Sequence, residues 1–450
     1  MGPTEPSRWY RLAVATAVGV ARVGALLNAK LARGVAGRRR LRDRYETWSA
    51  AHRDRARPLV WFHAPSVGEG LQARPVIEAL RAERPDWCIA YSFFSPSAEA
   101  LARTLPVDFA DYLPFDRPRE VAAALDALAP TALVFAKLDV WPELALAAAA
   151  RGVRLGLVSA TVAESSSRLA WPARDWAASA YAALDRIGAI APEDAERLER
   201  LGARRPVITI TGDTRYDSVA QRAERLDRAR EPFRSLAAGG AEAFTIVAGS
   251  TWPADEAVVL PAFAQLRARG EPVRLLLAPH EPTPPHLAAI DATAYAAGLP
   301  RPVRLSQLLA AGAPGDVSLV VVDQVGVLAD LYALGQAAFV GGGFHRAGLH
   351  SVLEPAVFGV PVSFGPQWRM SRDAGILIER GAAVALPPRV EGQSALRDLW
   401  LEWRRDPPAR ARAGAAGASV VREGRGAAVR TAALVTELLE PVAPPLRLRT

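Results

Sequence analysis

Three short stretches of the chain carry residue types that could do chemistry. The first is Ala64-Pro65-Ser66-Val67-Gly68-Glu69-Gly70, which follows the apolar run Pro58–His63. A small-residue turn there opens a helix with Glu69 in its first turn. A carboxylate at that place complements the positive end of the helix dipole; it is also placed to take a proton from a hydroxyl as a general base. No GxGxxG follows the run, so a dinucleotide site is unsupported. The second stretch is Ala248-Gly249-Ser250-Thr251-Trp252. Ser250 and Thr251 would offer donors to a phosphate, or cap a helix starting near Pro253. The third runs Phe339-Val340-Gly341-Gly342-Gly343-Phe344, then Gly348-Leu349-His350-Ser351-Val352-Leu353-Glu354-Pro355. Three glycines allow close backbone approach. The pattern predicts a helix from about His350–Ser351, whose unpaired N–H groups would face an anion. Glu354, about one turn in, could accept from two ribose hydroxyls. Glycine loop, helix start and following acid together suit a nucleotide-sugar site; a tight turn and a plain capped helix would leave the same pattern.

Other chemistries find less support. The six histidines, His52, His63, His280, His286, His345 and His350, contain no HExxH-type ligand pair, and His280 with His286 reads as surface loop. Cys88 is the single cysteine, which excludes a disulfide scaffold and a cysteine zinc site; it reads as a small buried hydrophobe. No metal is expected.

At 450 residues, 50% hydrophobic and 23% charged, the composition is globular. The length suits two or three domains. The net charge of +8 is uneven: residues 1–57 hold 13 basic and 4 acidic residues, and the rest holds 42 basic and 43 acidic. A neutral body argues against a nucleic-acid groove, while a basic arm favours an anionic surface. Leu12–Ala21 and Val23–Ala29 are free of charge on either side of Arg22, too interrupted for a span of ~20 apolar residues. Arg11, Arg22 and Arg33 recur every eleven residues, about three helical turns. One helix would therefore carry them on nearly one face, with Val20, Val23, Leu27 and Leu31 mostly away from it. The expectation is a helix lying in the membrane interface, with Arg38–Arg40, Arg42 and Arg44 adding attraction to headgroups. An ordinary amphipathic packing helix is the alternative. The apolar run leads into arginine-rich sequence and not a cleavage site, against a signal peptide.

The elements that must position these residues come from the periodicity. Strands are expected at Pro58–His63, Trp87–Phe93, Ala132–Phe135, Val153–Ser159, Ile187–Ala191 and Val207–Thr211, with helices near 69–84, 117–128, 142–151 and 193–202. After a charged, then Ala- and Gly-rich stretch at 217–242, strands resume at Phe244–Ala248, Val273–Ala278, Val317–Asp323, Ala337–Gly341 and Pro361–Phe364. Strand–helix alternation with fully apolar strands predicts parallel, doubly wound sheets. Two such halves would put a cleft between the carboxyl ends of their sheets, where ligands bind. A helical stretch near 417–440 would pack back across the halves.

Taken in order, Ser66-Val67-Gly68-Glu69, Tyr112-Leu113-Pro114-Phe115-Asp116, Asp139-Val140-Trp141-Pro142, Thr211-Gly212-Asp213-Thr214-Arg215-Tyr216-Asp217, Gly249-Ser250-Thr251 and His350-Ser351-Val352-Leu353-Glu354-Pro355 resemble the 3-deoxy-D-manno-octulosonic acid (Kdo) transferases of lipopolysaccharide synthesis. The resemblance runs from about residue 9 to 385. It implies an α/β, GT-B architecture: two Rossmann-like, doubly wound domains facing across a cleft, with an N-terminal membrane-associating helix. The corresponding divisions are 1–45 for that segment, 46–225 for an acceptor domain, 240–420 for a CMP-binding domain and 421–450 for a last helix and tail.

The resemblance also implies inverting, metal-independent transfer of Kdo from CMP-Kdo to the 6′-hydroxyl of the lipid A precursor (lipid IVA), at the cytoplasmic face of the inner membrane and without a cofactor. Glu69 would be the general base, with Lys137 and Arg215 in supporting catalytic positions. Ser250, Thr251, Pro279, His280, the backbone of Val325, Gly326 and Val327, and His350, Ser351, Val352, Leu353 and Glu354 would hold CMP. Ser66, Gly68, Ser95 and Ser97 are candidates for the acceptor. Where the family often has Glu-x-Glu before Trp-Pro, this chain has Lys137 and Asp139. Arg215, His280 and Ser351 replace the family's Lys, Arg and Asn. A GT-B enzyme using a UDP-sugar, or an inactive membrane-surface GT-B scaffold, are the competing readings.

Overall fold

The computed structural model describes residues 5–238, 243–311, 317–346 and 348–439. The Ala- and Gly-rich stretch at 237–240 thus lies partly, and the tail after 439 wholly, outside the described residues. The chain forms two compact units, the first of Met1–Ser218 with Arg425–Thr450 and the second of Val219–Gly424. The change of unit falls inside the helix Thr214–Glu224; residues 5–45 and 425–439 belong to the first unit, and residues 421–424 to the second.

The first unit is built on β1 (Leu59–His63), β2 (Cys88–Phe93), β3 (Phe109–Tyr112), β4 (Ala132–Ala136), β5 (Arg154–Ala160), β6 (Arg186–Ala189) and β7 (Ile208–Ile210). They form one parallel sheet in the order β3-β2-β1-β4-β5-β6-β7. Every residue of β1, β2 and β4 is buried, as expected for strands covered on both faces. The second unit holds β8 (Phe244–Thr251), β9 (Val273–Pro279), β10 (Val303–Arg304), β11 (Leu319–Val321), β12 (Ala337–Val340), β13 (Val362–Phe364) and β14 (Ala383–Ala385). Its parallel order is β10-β11-β9-β8-β12-β13-β14. In each sheet the winding reverses beside the first strand, between β1 and β4 and between β8 and β12. The carboxyl ends at such a reversal are where doubly wound sheets bind ligands.

The N-terminal arm forms three helices, α1 (Arg8–Gly24), α2 (Ala29–Gly37) and α3 (Leu41–His52). The eleven-residue arginine spacing therefore does not run along one helix. The chain breaks after Gly24, and the Asn28 side chain caps α2 by accepting from Lys30 and Leu31 amides at 2.9 and 3.1 Å. Arg11 faces the body, where it meets both oxygens of Glu143 at 2.7 and 2.9 Å. Beside it, the Tyr10 hydroxyl donates to buried Asp116 at 2.6 Å. Among the described residues no helix is long and apolar enough to cross a membrane. Helix α4 (Val67–Glu83) follows β1.

At the other end, the expected helix over 417–440 is two helices, Pro407–Gly424 and Ala427–Glu437. They part at Gly426, whose φ of 89° suits only glycine without strain. The second buries Ala432, Val435 and Leu438 in the core of the first unit.

Candidate active site

At the reversal in the first unit, β1 ends at His63 and the chain turns through Ala64–Ser66 into α4. That turn is tied to the neighbouring strand: the Pro65 carbonyl accepts from the Phe94 and Ser95 amides at 3.1 and 2.8 Å. Gly70 packs closely: a Cβ would lie 2.7 Å from the Tyr91 hydroxyl and 2.5 Å from Leu101, so those side chains would have to shift to admit one. The result is Glu69 on the first turn of α4 with its carboxylate accepting from the Ser66 hydroxyl. Lys137, the first residue beyond β4, brings its ammonium to 3.3 Å from the other carboxylate oxygen. Burial pushes the Glu69 carboxyl up, but Ser66, Lys137 and its own backbone amide together outweigh burial and hold it below its usual range. Glu69 is thus a carboxylate at neutral pH, able to accept a proton.

Lys137 has a left-handed backbone, φ 64°, a conformation that costs a non-glycine residue about 1 kcal/mol or more and concentrates at functional sites. Its amide is fixed by the Val158 carbonyl at 2.8 Å. Two residues on, Asp139 is engaged structurally, with Arg168 at 2.9 Å and the Trp141 indole N–H at 2.9 Å. Ser95 and Ser97 share a hydrogen bond at 2.8 Å on an exposed turn after β2, and Gly68 is exposed on α4.

The Arg215 guanidinium is held by Asp213 at 2.9 and 2.6 Å in the first unit. The rest of its motif is also used in packing. Thr214 donates to the Gln72 carbonyl at 2.8 Å, and Asp217 accepts from the Gly426 and Ala428 amides at 2.7 and 2.9 Å.

At the reversal in the second unit, Ser250 sits in left-handed backbone, φ 53°, and Thr251 donates to Glu256 at 2.9 Å. His286, expected on a surface loop, is largely buried against that same Glu256, also at 2.9 Å. Trp252 is the centre of a ring cluster that sequence reasoning missed. It stacks on His345 at 4.4 Å and His280 at 4.7 Å, while His280 lies 4.6 Å from His350. The indole N–H of Trp252 donates to Nε2 of His350 at 3.2 Å, so that imidazole is neutral. Burial, reinforced by His280, pushes its pKa down to about 4. His280 follows β9, and His345 and His350 share the loop after β12, so only their following strand termini hinted at a meeting. No group of three or more His, Cys, Asp or Glu among the described residues is arranged to hold a metal.

Two parts of the expected anion site are corrected. The helix after the glycine turn starts at Leu353, not His350, and is the single turn Leu353–Ala356. Ser351 is exposed, whereas Val352 and Leu353 are core residues, 1% and 0% exposed. The glycine turn itself closes on protein. Cβ atoms at Gly341 and Gly343 would come within 2.2 Å of Ser250 O and 2.4 Å of Gly365 N. The Gly342 and Phe344 amides are already given to Asp255, at 2.8 and 3.1 Å. Asp255 was not singled out from sequence, although an acid three residues after Trp252 is a capping signal.

Glu354 remains placed for polar work. Its carboxyl is pushed up to about 7 by burial, with Arg222 pulling it down and Asp330 pushing it up. Arg222 also bonds Asp330 at 2.6 Å and the Gly326 carbonyl at 2.8 Å. Val325 beside it is 78% exposed. The second unit thus gathers Ser250, Thr251, Pro279, His280 and His350 about Trp252, and Gly326, Val327 and Glu354 about Arg222.

Comparison with known proteins gives this geometry a context. Residues 39–218 match the family model described as 3-deoxy-D-manno-octulosonic-acid transferase (kdotransferase). A 3-deoxy-D-manno-octulosonic acid transferase of Bordetella pertussis is 30% identical over 341 residues, 73% of this chain and 76% of that protein. The Haemophilus influenzae transferase of the same name is 25% identical over 414 residues, 90% and 92% of the two chains. Among solved structures, the UDP-GlcNAc 2-epimerase of Neisseria meningitidis bound to UDP-GlcNAc aligns over 85% of this chain and 99% of its own, with TM-score 0.59 and 10% identity. A glycosyltransferase from Rickettsia africae aligns over 86% and 100%, with TM-score 0.58 and 9% identity. With two doubly wound parallel sheets, the architecture is of the GT-B type.

Proposed function

Since the chain belongs to the 3-deoxy-D-manno-octulosonic acid transferase family, we propose that it transfers Kdo from CMP-Kdo to a hydroxyl of the lipid A precursor by a single inverting displacement. The observation that carries this reading is the Glu69–Lys137 pair at the strand reversal of the first unit. Glu69 takes the proton of the acceptor hydroxyl while that oxygen bonds to the anomeric carbon of Kdo, and the bond from that carbon to the cytidylate oxygen breaks. CMP leaves with the electron pair. The second unit holds the nucleotide, with Trp252 and its histidines offering a ring surface and Glu354 an acceptor for ribose hydroxyls. The basic arm brings the protein to the cytoplasmic face of the inner membrane, where the acceptor resides. Lys137 orients Glu69 and keeps it ionised before the acceptor arrives.

The test is mass spectrometry of the lipid after incubation with CMP-Kdo and lipid IVA. A product heavier by one or more Kdo residues is expected with the native chain, and loss of that product by about 10²–10⁴-fold with Glu69→Gln. Undiminished transfer by Glu69→Gln removes the base assignment. Stabilisation by UDP and not by CMP removes the donor assignment.

A further inference from the structure

Away from these residues, the first unit carries a pocket of about 520 Å³ formed by α1, α2, α3 and the chain around Pro114 and Arg119. Six arginines line it, with one acid, Glu120. Of these, Arg42 is paired with Glu46, and Glu120 with Arg117. Arg38 lies beneath the surface, donating to the carbonyls of Gly34, Phe94 and Leu113. That leaves Arg22, Arg39, Arg40 and Arg119, all exposed and with no ion-pair partner among the described residues. Four guanidinium groups around one concavity repel one another, and an anion relieves that repulsion. Their planar forks match a phosphate. The wall behind them is apolar, with Leu41 and Phe115.

A second observation points to the kind of phosphate. Arg22 is on the last turn of α1, and its neighbours Val20, Val23, Leu26 and Leu27 are 66%, 66%, 84% and 92% exposed. An exposed apolar tip next to a basic pocket suits the boundary between headgroups and acyl chains. A free anion would not need it.

We infer that this pocket is a headgroup site for an anionic membrane phospholipid, with the Val23–Leu27 turn entering the acyl boundary. This rests on the reading that the arm meets a membrane. It adds a defined site, in the first unit, separate from Glu69.

The full chain is sedimented with vesicles of phosphatidylcholine alone and with added phosphatidylglycerol. Substitutions are used because deleting the arm would uncover Asp116 and Glu143. The native chain is expected to prefer phosphatidylglycerol vesicles. Arg22→Gln/Arg39→Gln/Arg119→Gln is expected to lose on the order of fivefold per arginine. The control Arg55→Gln/Arg103→Gln/Arg200→Gln removes the same charge from the same unit, outside the pocket, and should bind nearly as the native chain does. Equal losses in the two triple variants overturn the pocket while leaving the membrane reading intact. No preference in the native chain overturns both. Inorganic phosphate supplies the last arm: thermal stabilisation that the pocket variant loses, without any vesicle preference, would make this a free-phosphate site and overturn the lipid assignment.

Discussion

At the scale of single residues, the Glu69 carboxylate is held down by a neighbour that can be removed. Burial alone would raise its pKa, and Ser66 and Lys137 reverse the sign. If transfer needs Glu69 ionised, activity falls as the pH drops through that lowered value. Lys137→Met should move this acid limb of kcat/KM upward by about one pH unit, since an opposite charge at this distance is worth about that much or more. A limb that stays in place would separate Lys137 from the base. Glu354 carries the opposite sign. Its folded-state value of about 7 exceeds the ordinary 4.5, so its contribution to stability is complete below the ordinary value and is lost as the pH rises through about 7. Glu354→Gln should flatten the thermal midpoint between those limits. Above pH 7 it should exceed the native chain by about 1–3 kcal/mol, allowing for the partial exposure of the side chain. The same ionisation should tighten CMP binding with rising pH in the native chain but not in the variant; calorimetric titration at pH 6 and pH 8 reads both.

At the scale of elements, Asp255 shows how a turn is held. Its carboxylate accepts from the amides of Trp252, Gly342 and Phe344 at 2.9, 2.8 and 3.1 Å. Asp255→Ala would leave three donors unpaired, at about 1–3 kcal/mol for each that stays buried. A loss of about 3 kcal/mol or more in urea unfolding is expected, with Asp255→Asn losing less because its amide oxygen still accepts. An Asp255→Ala chain as stable as the native one would remove this role. The same turn marks what could be read in advance. The central strands were legible because their uninterrupted apolar runs admit one environment, a sheet covered on both faces. Two edge strands were not: β3 includes Asp111 and has only Tyr112 buried, and β10 is two residues long, whereas the edge strand β7 was expected at Val207–Thr211. Glu69 was legible as a residue that follows a strand, and Ser250 as one at a strand's carboxyl end. Three glycines cannot say whether the chain that comes close to them is a ligand or the protein's own backbone. Here it is Ser250 and Gly365. Histidines scattered over seventy positions gave no periodic sign that three of them surround Trp252.

At the scale of the whole molecule, the first unit is completed by the last helix among the described residues. Ala427–Glu437 returns after the second unit to lie on α4, β5 and β6, and Leu438 covers Gly156, where a Cβ would come within 2.8 Å of it. Asp217 caps this helix through the Gly426 and Ala428 amides, so one motif ties the exit from the first unit to the return. Burial of Leu434, Val435 and Leu438 contributes about 1.5–3 kcal/mol for each side chain. A chain ended after Gly424 should therefore lose stability in the first unit while the sheet of the second keeps its own core, which draws on Val258, Phe263 and Trp400. Hydrogen exchange separates the two: amides of β5 and β6 should exchange faster in the shortened chain and those of β8 and β9 should not. Unchanged protection in β5 and β6 would mean that the returning helix covers the first core without stabilising it.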